Sequence, residues 1–132
     1  MTKKMVGMIA GGSGITPIYQ VLKKALEDEN DKTKFCLIYA NQTESDILLR
    51  DQLEDFSARF PNRFWLHYTL DRPSPGWKYS TGFVDEAMLK SKMPPPGPET
   101  IILACGPTPM IDFAIKPNLE KLGYGKDDLA IF

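Results

Sequence analysis

The stretch from Met5 to Pro17 constrains this chain more than any other: an apolar strand, a glycine turn and a helix start follow one another without interruption. Met5 to Ala10 is a short apolar run bounded by turn residues, the pattern of a parallel strand buried on both faces. Gly11, Gly12 and Gly14 can adopt backbone angles closed to other residues and leave room for a neighbouring backbone or a phosphate. Thr16 and Pro17 then read as an N-cap and a first helical residue. Unpaired N–H groups and the positive end of the helix would face the glycine turn. That makes an anion site by construction, with pyrophosphate the usual guest. A tight strand-to-helix turn without a ligand has the same local pattern, so the rest of the chain has to decide.

The strand-then-helix pattern recurs down the chain. Ile18, Val21, Leu22, Ala25 and Leu26 fall on one helical face, and Phe35 to Ala40 is a second buried strand containing Cys36, a core thiol. A second helix is expected over roughly Leu48 to Phe60, with Leu49, Leu53, Phe56 and Phe60 inward. Phe64 to Leu70 is a third strand, and its His67 reads as structural. Asp71 to Gly82 is the longest irregular connection, carrying Pro73, Pro75, Gly76 and Trp77; such a loop is often functional. A third helix follows around Val84 to Lys92, then the rigid connector Pro94 to Pro98. Thr100 to Ala104 is a fourth strand. Cys105-Gly106-Pro107-Thr108-Pro109-Met110 repeats the strand-turn-helix arrangement, with Thr108 and Pro109 in the places of Thr16 and Pro17. The helix that follows should kink at Pro117, whose ring clashes with the Phe113 carbonyl, and end at Gly123. Leu129 to Phe132 is a fifth strand.

Alternation of this kind predicts an α/β domain with a five-stranded parallel sheet in the order 3-2-1-4-5 and helices on both faces. Strands 1 and 4 are then neighbours at the point where the strand order reverses. The two turns, Gly11–Pro17 and Cys105–Met110, lie side by side at the carboxyl edge, where such sheets bind ligands. Two turns meeting at one crevice favour nucleotide binding over an empty turn.

Composition narrows the chemistry. With 132 residues, 42% of them hydrophobic and a net charge of −1, the chain reads as one domain over residues 1–132 with no bias toward nucleic acid or an anionic membrane. No apolar run approaches the roughly 20 residues of a membrane span. An apolar strand directly after Met1-Thr2-Lys3-Lys4 reads as a cut at a domain boundary rather than a signal peptide. Its two cysteines, Cys36 and Cys105, sit in apolar strands, which suits free thiols and a reducing, cytoplasmic setting. No Cys/His cluster has metal-ligand spacing, so no metal site is expected. Hydrolase chemistry lacks a base near Ser13, and no Gly-Lys-Ser/Thr makes a phosphate-binding loop. The dinucleotide fingerprint is partial: Pro17 stands where a third glycine would be, and Asn41-Gln42 stand where an acid would close strand 2. An ordinary Rossmann dehydrogenase is disfavoured. A flavodoxin-like nucleotide- or partner-binding module without catalysis stays open on these residues alone.

Gly11-Gly12-Ser13-Gly14-Ile15-Thr16-Pro17, together with Cys105-Gly106-Pro107-Thr108-Pro109-Met110, resembles the pyridine-nucleotide half of the ferredoxin reductase superfamily. Within it, the run from Tyr39 to Arg50 looks like the cytochrome b5 reductase type, found as stand-alone NADH–cytochrome b5 reductase and as the C-terminal module of plant and algal nitrate reductase. The Ser13 form of the first motif, Tyr19-Gln20 and Gly76 to Ser80 are more similar to the nitrate reductase branch, which is the leading expectation for the parent protein; Tyr68 to Arg72 is closer to the stand-alone reductase, the alternative.

This resemblance implies that NADH gives a hydride to FAD and that electrons then pass to a b-type haem. The FAD would sit mainly on a preceding β-barrel domain that this chain does not contain. The partners implied are that FAD-binding domain and a cytochrome b5-type haem domain or protein; molybdenum cofactor would lie elsewhere in a nitrate reductase. It implies roles for residues as well. Gly11, Gly12 and Gly14 shape the pyrophosphate turn, and Thr16 lies near the flavin–nicotinamide junction. Cys105 is the catalytic-site cysteine that positions the nicotinamide without acting as a covalent nucleophile. Gly106, Pro107 and Met110 shape the same wall, Phe83 packs on adenine, and Phe132 lies against the flavin edge. Asp71 favours NADH, because a carboxylate accepts from a ribose 2′-hydroxyl and repels a 2′-phosphate.

Overall fold

The computed structural model describes residues 4–132. Its strands are β1 (Met5–Gly11), β2 (Lys34–Asn41), β3 (Phe64–Leu70), β4 (Ser80–Thr81), β5 (Thr100–Cys105) and β6 (Leu129–Ile131), and its α-helices are α1 (Ile15–Leu26), α2 (Arg50–Arg59), α3 (Glu86–Lys92) and α4 (Lys116–Lys121). All strands pair in parallel, in the order β4-β3-β2-β1-β5-β6.

The sheet therefore has six strands, not five. The extra one, β4, lies inside the connection expected to be irregular. Ser80 and Thr81 pair with Thr69 and Leu70 at the sheet edge. Side chains fix it there: Thr69 Oγ1 donates to Gly82 O at 2.7 Å, Trp77 Nε1 donates to Ser80 O at 2.9 Å, and His67 Nε2 lies 2.7 Å from Ser80 Oγ. Two polar residues held mostly by partners elsewhere in the chain leave no periodicity to read. Without this edge strand the remaining order is the expected one, and β1 and β5 are neighbours, in register from Met5 beside Thr100 to Ala10 beside Cys105.

Alternate residues of the central strands feed two cores. Met8, Leu37 and Tyr39 point toward α1 and α2, where they meet Ile18, Leu22, Leu53 and Phe56. Ile9, Ile38 and Ala104 point the other way, toward Met88, Leu89, Ile111, Ile115 and Leu119. Each fully buried aliphatic side chain contributes about 1.5–3 kcal/mol, so the two-sided sheet is the main source of stability. Arg63 ties α1 to the sheet: its guanidinium donates to Ala25 O at 3.3 Å and Thr33 O at 3.1 Å, covering carbonyls at the helix end.

Helix starts depart from expectation. Gly14, not Thr16, is the N-cap of α1, no side chain caps it, and Pro17 is the third helical residue. Proline is still harmless there, because N–H groups of the first turn have no partner in the helix. Before α4, Met110–Ile115 is a π-helix with no side-chain cap. Pro117, where a kink is expected, stands in the first turn of α4, where its missing N–H has no helical partner to lose, and the wide turn lies directly before it. Asn118 Nδ2 donates to Ala114 O at 2.7 Å and satisfies a carbonyl there. Gly123 ends α4 with a φ of +95°. Asp85, at the start of α3, accepts from Met88 N at 2.8 Å.

Candidate functional site

A crevice of about 960 Å³ opens over the carboxyl ends of β1 and β2, with the turns after β1 and β5 along one wall. Those turns touch through their glycines. A Cβ on Gly14 would meet Cys105 O at 2.3 Å and Gly106 N at 3.0 Å; one on Gly106 would meet Gly11 N at 3.2 Å. A Cβ on Gly11 would meet Met110 Sδ at 2.8 Å and Pro107 Cδ at 3.1 Å. These three glycines let the protein pack against itself. Gly12 differs: its φ is +55°, and nothing lies within 4 Å of a Cβ placed there. The open space belongs to Gly12, while that at Gly14 is already filled by the Cys105 carbonyl.

Hydrogen bonds hold the opposite wall to the same turn. Tyr39, fully buried, donates its hydroxyl to Gly12 O at 3.3 Å and accepts from Leu48 N at 3.1 Å. Burial pushes its pKa up, opposed in part by the Leu48 N–H. The loop between β2 and α2 is itself braced. Asp46 Oδ2 accepts from Thr43 N at 3.0 Å and from its hydroxyl at 2.8 Å, and Arg50 donates to Glu44 at 2.8 Å. That last bond lowers the Glu44 pKa. Asn41 is buried, and its Nδ2 has no hydrogen-bond partner among the described residues.

Of the residues marked in the sequence, Gly11, Gly12, Asp71, Phe83, Pro107 and Met110 line the crevice. Gly14, Thr16, Cys105, Gly106 and Phe132 are not among its lining residues. Cys105 is half-buried and packs toward the α1 and α2 side of the sheet, and Thr16 is exposed on α1. Phe132 follows β6, its N–H donating to Ala104 O at 3.0 Å. The Asp71 carboxylate is exposed. Arg72 beside it is engaged with Gln42 (Nη2 to Oε1, 3.1 Å) rather than with Asp71.

The structure adds Ser13, Asn41, Gln42, Asp46, Phe113 and Asn118 to the lining. Asn41 and Gln42 had a signal, since they occupy the position where an acid usually closes strand 2. Phe113 had a weaker one: at 3.6 residues per turn it falls on the face opposite Ile111, Ile115 and Leu119, an aromatic ring on the side of the helix turned away from the core. Among the described residues no group of His, Cys, Asp and Glu could hold a metal ion, and no helix is long and apolar enough to cross a membrane.

A dinucleotide suits this crevice because the free space at Gly12 admits a phosphate against the backbone. Comparison with known proteins points the same way. Residues 8–116 match the oxidoreductase NAD-binding domain family. NADH-cytochrome b5 reductase 2 of Gallus gallus is 58% identical over 123 residues, which are 93% of this chain and 40% of that protein. The NADH nitrate reductase of Petunia hybrida is 50% identical over 131 residues, 98% of this chain and 14% of that protein. The crystal structure of the cytochrome b5 reductase domain of Ulva prolifera nitrate reductase superposes with a TM-score of 0.96 at 50% identity, covering 98% of this chain and 50% of that one. The chain thus spans at most about half the length of these relatives. On sequence and fold together, it belongs to the oxidoreductase NAD-binding domain family.

Proposed function

We propose that this domain binds NADH and supplies the nicotinamide half of an FAD-dependent reductase that delivers electrons to a b-type haem. The observation that carries the reading is the crevice itself: two glycine turns in backbone contact at the switch between β1 and β5, with Gly12 left open. In this reading the pyrophosphate lies over Gly12 at the N-terminus of α1, and Asp71 accepts from the adenosine ribose. Thr16, Cys105, Gly106 and Phe132, which stand outside the crevice, face the flavin-binding domain and complete the nicotinamide pocket with it. Flavin, held mostly by that second domain, would supply the conversion of a two-electron donor into single electrons. This chain's share is to bind, orient and shield.

Two kinds of parent protein fit: a stand-alone cytochrome b5 reductase, or a nitrate reductase in which haem and molybdenum domains precede the module. Identity of 58% with the stand-alone type against 50% with the nitrate reductase makes the former the first to test. The free thiols Cys36 and Cys105 suit a reducing, cytoplasmic location.

Titrating the chain with NADH while following amide resonances tests the reading. Gly12, Asn41 and Asp71 should shift together, and FMN should leave them in place. Shifts elsewhere with these three unmoved would remove the site, and an equal response to FMN would favour the flavodoxin-like alternative.

A further inference from the structure

We propose that Phe113 is an adenine-contacting residue of the crevice that Phe83 also lines. The inference rests on the NADH reading and extends it to a residue that neither the sequence motifs nor the glycine turns single out. Phe83 and Phe113 are the most exposed large apolar side chains of the domain, at 78% and 81%, and both line the one crevice. They reach it from the same face of the sheet: Val84, beside Phe83, and Ile111 and Ile115, on either side of Phe113, belong to one core. Phe83 follows β4 at the sheet edge and Phe113 follows β5, with the ends of β3, β2 and β1 between them. Neither ring stacks on another ring of the protein among the described residues. A large apolar ring left in water at a crevice is most simply explained by a flat apolar ligand surface that covers it.

The backbone presents Phe113 deliberately. Ile111 and Ile115 anchor the π-helix in the core, and Phe113 lies between them on the outward face. Asn118, also in the lining, fixes the turn through the Ala114 carbonyl. The position along the dinucleotide follows from the rest of the crevice. Gly12 marks the phosphates, and Asp71, placed at the adenosine ribose in the NADH reading, lines the crevice together with Phe83 and Phe113. The flat group bonded to that ribose is the purine, and the nicotinamide lies beyond Pro107 and Met110, toward Cys105, which is outside the lining.

The test is a titration of the chain with AMP, NADH and reduced nicotinamide mononucleotide, in wild type, Phe83→Ala, Phe113→Ala and Phe113→Trp. Loss of an aromatic–base contact should weaken AMP and NADH binding about fivefold or more in Phe113→Ala, from the low end of the stacking range upward. Affinity for the mononucleotide, which has no adenine, should not change, and neither should the unfolding midpoint, because the ring is exposed. Phe113→Trp should recover AMP binding, with indole fluorescence quenched as AMP is added. Wild-type AMP affinity in Phe113→Ala would overturn the proposal, as would equal weakening of AMP and the mononucleotide. Wild type that binds neither NADH nor AMP would remove the NADH reading itself, and this inference with it.

Discussion

Replacing Tyr39 by Phe asks whether one hydroxyl holds the two walls of the crevice together. The ring is fully buried and stays in place, tilted against Tyr68 with centroids 6.3 Å apart, so the cavity created is one oxygen in size. What goes are the bonds to Gly12 O at 3.3 Å and from Leu48 N at 3.1 Å. Each is worth about 0.5–1.5 kcal/mol net, and a donor left buried costs about 1–3 kcal/mol. Leu48 is 48% exposed, so water can reach its N–H once the hydroxyl is gone and the full burial penalty does not apply. The expected loss is about 1–2 kcal/mol. Urea unfolding should show it as a lower midpoint with an unchanged slope. Amide exchange should speed up at Leu48 more than at β1, and AMP should bind more weakly, because both walls loosen. A stability within about 0.3 kcal/mol of wild type, with Leu48 exchange unaltered, would show that the hydroxyl braces nothing.

Other perturbations separate the roles of neighbouring residues. Gly14→Ala forces a Cβ to within 2.3 Å of Cys105 O, whereas Gly12→Ala meets only the strain of a φ of +55°. Gly14→Ala should lower the melting temperature more, since overpacking against backbone costs about 1–3 kcal/mol or beyond and the left-handed strain about 1–2 kcal/mol. The reverse order would contradict the assignment of open space to Gly12. Asp71→Thr should raise NADPH binding relative to NADH in side-by-side titrations; an unchanged ratio takes Asp71 out of the ribose site. Burial pushes the Cys36 thiol from 9.0 up to about 11. The unfolded chain therefore ionises first, so stability is intact below pH 9 and falls as pH rises through 11. With the group only partly buried, the loss is about 1–2 kcal/mol, and Cys36→Ala should lessen the alkaline fall in a urea-midpoint series. NADH–ferricyanide turnover should be negligible with this chain alone and appear when the flavin-binding domain is supplied.

How far the site could be read from sequence depended on where each constraint acts. Apolar runs at β1, β2, β3 and β5 are local, and so is the glycine turn; each announced itself, and their alternation placed β1 beside β5. β4 is held by Thr69, Trp77 and His67, and a two-residue strand with those partners has no pattern of its own. Thr16-Pro17 was read as a cap because the types fit, but the short 3₁₀ turn at Gly12–Gly14 moves the helix start to Ile15 and makes Gly14 the cap. Glycine is the sharpest case. A sequence states that a side chain is not tolerated; it does not state what occupies the space. At Gly14 the occupant is the other turn, and only the register that sets Ala10 beside Cys105 brings it there; at Gly106 the space is shared by Met110 of its own turn and Gly11 of the other. At Gly12 the space stays open. The motif thus combines two physical requirements, close self-packing and a free backbone face. A substitution that disrupts the first will abolish binding without ever touching a ligand, so loss of NADH binding at Gly14 is not evidence of contact, whereas loss at Gly12 with stability retained would be.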